Sequence, residues 1–471
     1  MILKLCRENG FLFLPIAAFF GLSLCLDFDG FYGQDSYEHL RYSRALKLFF
    51  ETGVPPETYG WPVLYALLGA VLSYIMNDML ALQFESFIAF IGVLIVLKKA
   101  IYLLYDLKDH KVVSLFLLLG ASTSPYFFRA GIVGMTDMLS AFFVISAIYF
   151  MLKCALQINC LSFVLLFACG AASVITRYAT FPIICPVLMY GIFLALRAHR
   201  ERLLLFGFLT LLVVCLPHFI LKGVNFEFLQ HNGLLKWSLS HFMNNHFITQ
   251  DGEMTYDFIN GLYVFLPFVH PGYLSVGLLL LPFYKFTTPS VPQKILLLAA
   301  VLYLFFLAGL ETQNMRFFIP VYPLLLLLLS SVFVRAYLCI NQSQFRMLVV
   351  FGVLLVNTIY FTFNFKKFYE LSQLEKTIAA DLQTRDISTP IYAFYVDVSL
   401  PYRGVSNEIR NMWITSYENF QKGAFVLFNV TKFKKQWANT NPMINWENMN
   451  KAYNLVKITS YKSGWHLYYL E

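Results

Sequence analysis

FLFLPIAAFFGLSLCLDFDGFYGQDSYEHLRYSRAL, residues 11–46, changes solvent halfway along. Phe11 to Leu26 is an apolar run that suits hydrocarbon, and it ends at Asp27. Asp27, Asp29 and Asp35 then bring three carboxylates within ten residues, and Tyr37, His39, Arg41 and Arg44 follow on a stretch that reads as a helix. A membrane span thus opens directly onto a polar, chemically equipped loop.

The composition extends that reading to the whole chain. Of 471 residues, 58% are hydrophobic and 13% charged, with mean hydropathy +0.62. A soluble chain carries about 25% charged residues, so most of this one needs a second solvent. Apolar stretches of spanning length recur through the first 365 residues, the mark of a polytopic helical membrane protein. No small-x-small cleavage site precedes Asp27, so the first stretch reads as a span, not a signal peptide. The net charge of +8 sits largely in short loops, as the positive-inside rule expects, and does not point to nucleic acid. The eight cysteines lie in or beside apolar segments and show neither disulfide nor zinc spacing.

Lys4 and Arg7 place the N-terminus in the cytoplasm. Spans at 9–26, 81–105, 112–127, 138–153, 160–176, 180–196, 203–221, 262–284, 295–310, 317–338 and 345–365 give about eleven crossings. Residues 27–80 form the first outer loop, in which Pro62 to Met76 reads as a helix lying in the interface. With this topology Lys108, Lys111, Lys153, Arg197, Arg200, Arg202, Lys285, Lys294, Arg335 and Arg346 all face the cytoplasm, and the tryptophans face the other side. Residues 1–365 are therefore expected to form the transmembrane domain. Residues 366–471 are polar, begin with a helix at 368–383 and alternate in strand fashion at 390–398, 423–430, 452–458 and 464–470. They predict a small extracytoplasmic α/β domain.

The unusual charges share the outer side. Arg129 and Asp137 flank the turn after the third span, and Arg177 and Arg316 lie at the outer ends of later spans. Isolated charges beside apolar runs are expensive and tend to face a cavity. Three arginines with acids suit a bound anion plus a proton acceptor. Guanidinium forks match phosphate oxygens, so the anion expected is a lipid phosphate. This is a layout for moving a sugar off a lipid phosphate where no nucleotide sugar is available.

In the same segments the chain resembles the GT-C glycosyltransferases, in particular the branch of protein O-mannosyltransferases and the aminoarabinose transferase of lipid A. The resemblance is carried by GQDSYEHLRYSRALKLFFETG (33–53), YGWPVLYALLGAVL (59–72), GMTDMLSAFFVISAIYFML (134–152), ITRYATFPII (175–184) and RFFIPVYPLLLLLL (316–329). DSYEHLR also resembles the first loop of oligosaccharyltransferase catalytic subunits. The resemblance implies that Asp35 is the catalytic acid of the first loop, that Asp137 is the second acidic position, and that Arg316 is the basic residue before the late span. Two departures are visible. Gly60-Trp61-Pro62 stands where aminoarabinose transferases carry Lys-Pro-Pro, and the second loop lacks an Asp-x-Glu pair.

The expected activity is an inverting transfer of a sugar from a polyprenyl-phosphate donor to a lipid, glycan or protein acceptor, at a bacterial inner membrane and outside the cytoplasm. Asp35 and Asp137 are the expected catalytic residues. Arg129, Arg177 and Arg316 are the expected phosphate ligands, and Tyr37, His39, Arg41, Tyr59, Trp61 and Trp237 the further substrate contacts. No cofactor is expected, with a divalent metal the alternative if Asp27, Asp29, Asp35 and Asp137 converge in space. The mapped acids fall one per loop, whereas a hard divalent ion wants several oxygens. His231, His241 and His246 are spaced by ten and five residues, which fits no helical ligand pair. The rival readings are an oligosaccharyltransferase or glycan ligase, a lipid-linked sugar transporter, and a non-catalytic scaffold. A transporter predicts mid-depth charges and repeated halves, and neither is visible.

Overall fold

The computed structural model describes residues 9–471 except 106, 108, 224–235, 250, 275, 285–287, 341 and 386. The chain divides into two compact units. The first comprises Met1–Gly30, His39–Met243 and Asn260–Phe365, and the second Phe31–Glu38, Asn244–Ile259 and Lys366–Glu471.

The first unit is helical: α1 (Gly10–Cys25), α2 (Gly33–Thr52, whose first residues belong to the second unit), α3 (Leu64–Leu72), α4 (Asp78–Tyr105), α5 (His110–Ser122), α6 (Pro125–Ile132), α7 (Thr136–Leu156), α8 (Cys160–Thr176), α9 (Tyr178–Arg197), α10 (Arg202–Lys222), α11 (Val291–Ala308), α12 (Tyr322–Cys339) and α13 (Ser343–Gln383, which from Lys366 onward belongs to the second unit). Among the described residues seven helices are long and apolar enough to cross a membrane, or eight if α5 and α6 count as one bent span; α1 and α8 are shorter apolar helices. The chain is an integral membrane protein. Over their apolar windows α7 and α12 are 61% buried and α10 only 17%, so α7 and α12 are central and α10 shows most of its surface to lipid. α4 packs on α7, α7 on α8, and α9 on α11. The α4–α7 contact is close because Gly92 has no side chain: a Cβ there would meet the Phe142 ring at 2.6 Å.

Two expected spans differ. The segment 262–284 is not one helix but the short turns Asn260–Tyr263, Leu266–Phe268 and Leu278–Phe283. Pro267, Pro271 and Pro282 remove amide donors and interrupt the ladder. The expected span 112–127 is bent by 70° between α5 and α6. Its Leu118–Ser122 turn is π-helical, and Ser124, which precedes Pro125, is extended.

The second unit holds a hairpin of β1 (His246–Thr249) and β2 (Gly252–Thr255), and a five-stranded sheet of order β4-β3-β5-β7-β6. The strands are β3 (Ile391–Ala393), β4 (Ile409–Asn411), β5 (Phe425–Phe428), β6 (Leu455–Ser460) and β7 (His466–Leu470). β3 is parallel to β4 and β5, while β7 is antiparallel to β5 and β6. α14 (Val430–Gln436) and α15 (Asn441–Ala452) accompany the sheet. Ile378, Leu382, Tyr392, Phe428, Phe433 and Trp465 fill its core. The helix expected at 368–383 is the end of α13, which runs for 41 residues. No Gly or Pro falls between Gly352 and Pro390 to stop it.

Candidate functional site

Asp137 lies in the first turn of α7, where the helix dipole favours an anion. Its side chain is 3% exposed and forms ion pairs with Arg177 Nη1 and, at 2.9 Å, with Arg316 Nε. Three charges from distant parts of the chain therefore meet in one place. Two guanidinium groups share one carboxylate, so the trio keeps a net positive charge. The arginine side chains stay partly open, at 14% and 18% exposure.

Each arginine is placed by a break in helix geometry. Arg177 is extended between α8 and α9, with φ −156°. Arg316 sits in the 3-10 turn Met315–Phe318, where the Asn314 side chain accepts its amide at 3.1 Å. Three buried phenols clamp that turn. Tyr263 donates to the Asn314 carbonyl at 2.6 Å, Tyr273 to the Met315 carbonyl, and Tyr303 to the Phe317 carbonyl at 2.6 Å. Arg129, in α6, stacks on the Tyr126 ring at 4.8 Å, and α6 packs against the Met315–Phe318 turn. The outer loop is tied in by Gln83, whose amide donates to the carbonyls of Phe28 at 3.3 Å and Ile132 at 3.1 Å.

The other expected contacts of this unit form an aromatic group. Tyr59 stacks on Tyr42 at 4.0 Å, meets Trp61 at 5.7 Å and pairs with His39 Nδ1 at 2.6 Å. His39 is fully buried, so it supports Tyr59 and offers no surface to a ligand. Arg41 donates to Glu57 at 3.2 Å and to the Thr58 carbonyl at 2.8 Å. Lys222, at the end of α10, places its ammonium 5.0 Å from the Tyr59 ring centroid. Sequence reading passed over Lys222, because a lysine at a span end looks like a simple anchor. Trp237, expected to stack on sugar, instead donates its indole N–H to the Phe306 carbonyl at 2.9 Å and packs over Gly309.

Asp35 and Tyr37 belong to the second unit. Asp35 is in the first turn of α2. Tyr37 is fully buried and donates to Glu375 Oε2 at 2.8 Å, so it too is a support. Glu375 also accepts from the Gly33 amide at 3.1 Å and pairs with Arg403 at 3.5 Å. Gly33 has φ +66°, which suits glycine at this turn into α2. His241 bonds the Gly309 carbonyl at 2.8 Å, His246 bonds Thr255 at 2.9 Å, and His231 lies outside the described residues. Among the described residues no three His, Cys, Asp or Glu side chains are grouped as metal ligands.

The fold is one already seen in solved membrane-protein structures. No family model matches the chain, and no curated protein matches it by sequence. Solved structures do. ArnT from Cupriavidus metallidurans, bound to undecaprenyl phosphate, aligns over 98% of both chains with TM-score 0.62 and 13% identity. The Archaeoglobus fulgidus oligosaccharyltransferase in its apo form aligns over 99% of this chain and 74% of its own, with TM-score 0.54 and 11% identity. The oligosaccharyltransferase AglB from Archaeoglobus fulgidus, in complex with an inhibitory peptide and a dolichol-phosphate, aligns at TM-score 0.53 and 11% identity over 98% of this chain and 74% of its own.

Proposed function

We propose that this protein is a glycosyltransferase that moves a sugar from a polyprenyl-phosphate donor to a lipid, glycan or protein acceptor on the extracytoplasmic side of a bacterial inner membrane. The observation that carries the reading is the Asp137–Arg177–Arg316 trio, in a fold shared with ArnT bound to undecaprenyl phosphate. In the reaction an acceptor oxygen forms a bond to the anomeric carbon as the carbon–oxygen bond to phosphate breaks. The bonding electrons leave with the phosphate, whose developing charge the arginines stabilise. The acceptor's proton passes to a carboxylate. Asp137 is already engaged by two guanidinium groups, so we assign the proton to Asp35. Asp137 then orients the arginines. Because the arginines supply the neutralising charge, we propose a reaction independent of divalent metal.

The test is transfer from an undecaprenyl-phosphate sugar in nanodiscs. Asp35→Asn is expected to lower turnover at least about 10²-fold with donor binding intact. Near wild-type turnover would remove Asp35 from the mechanism. Full loss of activity with a chelator, restored by Mg²⁺ or Mn²⁺, would favour the oligosaccharyltransferase reading, which the likeness to AglB also supports. A cysteine label near Lys434 should react from outside the cell. Reaction only after the inner face is opened would invert the topology.

A further inference from the structure

The second unit gathers side chains at one end of its sheet. β3 lies between β4 and β5, and all three are parallel. In open α/β sheets, ligands bind in the crevice beyond the carboxyl ends of such strands. Here those ends carry Tyr395 and Asp397 after β3, Asn411 at the end of β4, and Lys432 after β5.

Tyr395 has φ +75°. A bulky aromatic residue avoids that region, and such strain persists where the surroundings hold it, most often at ligand sites. The Lys432 ammonium stands 3.4 Å from the Tyr395 ring centroid and holds it from one face. Asp397 is 5% exposed. Its Oδ2 accepts from the Asn411 amide, and the Gln34 side chain bonds the same carboxylate. Asp397 Oδ1 is buried, and the backbone amides of Asp397 and Val398 also bond the carboxylate. Gln34 is the neighbour of Asp35, and the Asp35 carboxylate acts electrostatically on the Tyr395 hydroxyl. Burial, then Glu375, Tyr32 and Asp35, push that hydroxyl up to about 12, so it remains a donor at physiological pH.

We propose that these strand ends bind a neutral carbohydrate acceptor, with Tyr395 an acceptor-contacting residue. The inference rests on the glycosyltransferase reading above. Asp35 and Asp397 outnumber the Lys432 ammonium and disfavour an anionic ligand there. A ring, a hydroxyl and amide groups suit the alternating C–H and O–H faces of a sugar.

The experiment uses the full chain in nanodiscs and saturation-transfer NMR with maltose as the neutral probe. Glucuronate and a Ser/Thr peptide serve as competitors. Maltose should receive saturation. Tyr395→Phe keeps the ring and should weaken maltose binding about 5-fold, a typical cost for one hydrogen bond. Tyr395→Asn, which tolerates this φ, should abolish binding in a protein of unchanged circular dichroism. Absence of transfer, equal transfer in both variants, or preference for glucuronate or the peptide would overturn the proposal. Undecaprenyl phosphate binding is measured in the same discs. If the lipid binds while maltose ignores Tyr395, the strand-end inference fails alone. If the lipid does not bind, the glycosyltransferase reading fails.

Discussion

Each unit contains a buried carboxylate clamped by arginine, and the two are built to opposite ends. In the first unit Asp137 faces two arginines whose side chains stay 14% and 18% exposed. In the second, Glu375 is fully buried, faces Arg403 at 7% exposure, and adds a phenol and a backbone amide. A carboxylate matched to one cation and closed by neutral donors has the form of a latch. A carboxylate outnumbered by partly exposed cations has the form of a seat for another anion. The surroundings of the pair, not its presence, separate the two roles.

The comparison predicts different losses. Glu375→Gln should have the largest effect on stability, lowering that of the second unit by about 3 kcal/mol, because Arg403 is left buried beside a neutral group. Undecaprenyl phosphate affinity should not change. A denaturant series followed by tryptophan fluorescence, which reports on Trp413, Trp437, Trp446 and Trp465, measures the first quantity. Unchanged stability would remove the latch. Arg316→Ala should act the other way, weakening undecaprenyl phosphate binding about tenfold, on the order of 1.4 kcal/mol. Arg316→Lys keeps the charge without the fork and should fall between. If both bind like wild type, the trio is as structural as the latch.

A further effect, on stability alone, is a pH dependence. Burial raises Asp397 from 3.8 to about 6. A carboxyl whose folded value is raised destabilises the fold as it ionises. The second unit should keep its full stability below about pH 4 and lose up to roughly 3 kcal/mol as pH rises through 6. Asp397→Asn should flatten that slope relative to wild type, and equal slopes would remove Asp397 as the cause.

The sequence announced the open pair better than the closed one. Asp137, Arg177 and Arg316 stand out because each is a lone charge at the end of an apolar run. Glu375 sits in LSQLEKTIAADL, which reads as an ordinary solvated helix. Its partners Gly33 and Tyr37 are separated from it by 342 and 338 residues, and no local pattern encodes contacts of that range. The spans were legible wherever apolar runs lacked proline. The segment 262–284 was misread because its hydropathy is continuous while its prolines are not. Strand β4 is three residues long and β1–β2 lies in a polar loop, so neither carries enough alternation to be seen.

The phenol clamp on the Asn314–Phe317 turn has a thermodynamic consequence. Tyr263, Tyr273 and Tyr303 fix three carbonyls around Arg316, so the conformational entropy of that turn is lost when the chain folds. A guanidinium preorganised in this way meets its anion without further ordering. Calorimetry should therefore find that loosening the clamp, as in Tyr303→Phe, makes the entropy of lipid-phosphate binding less favourable while the contacts, and most of the enthalpy, remain.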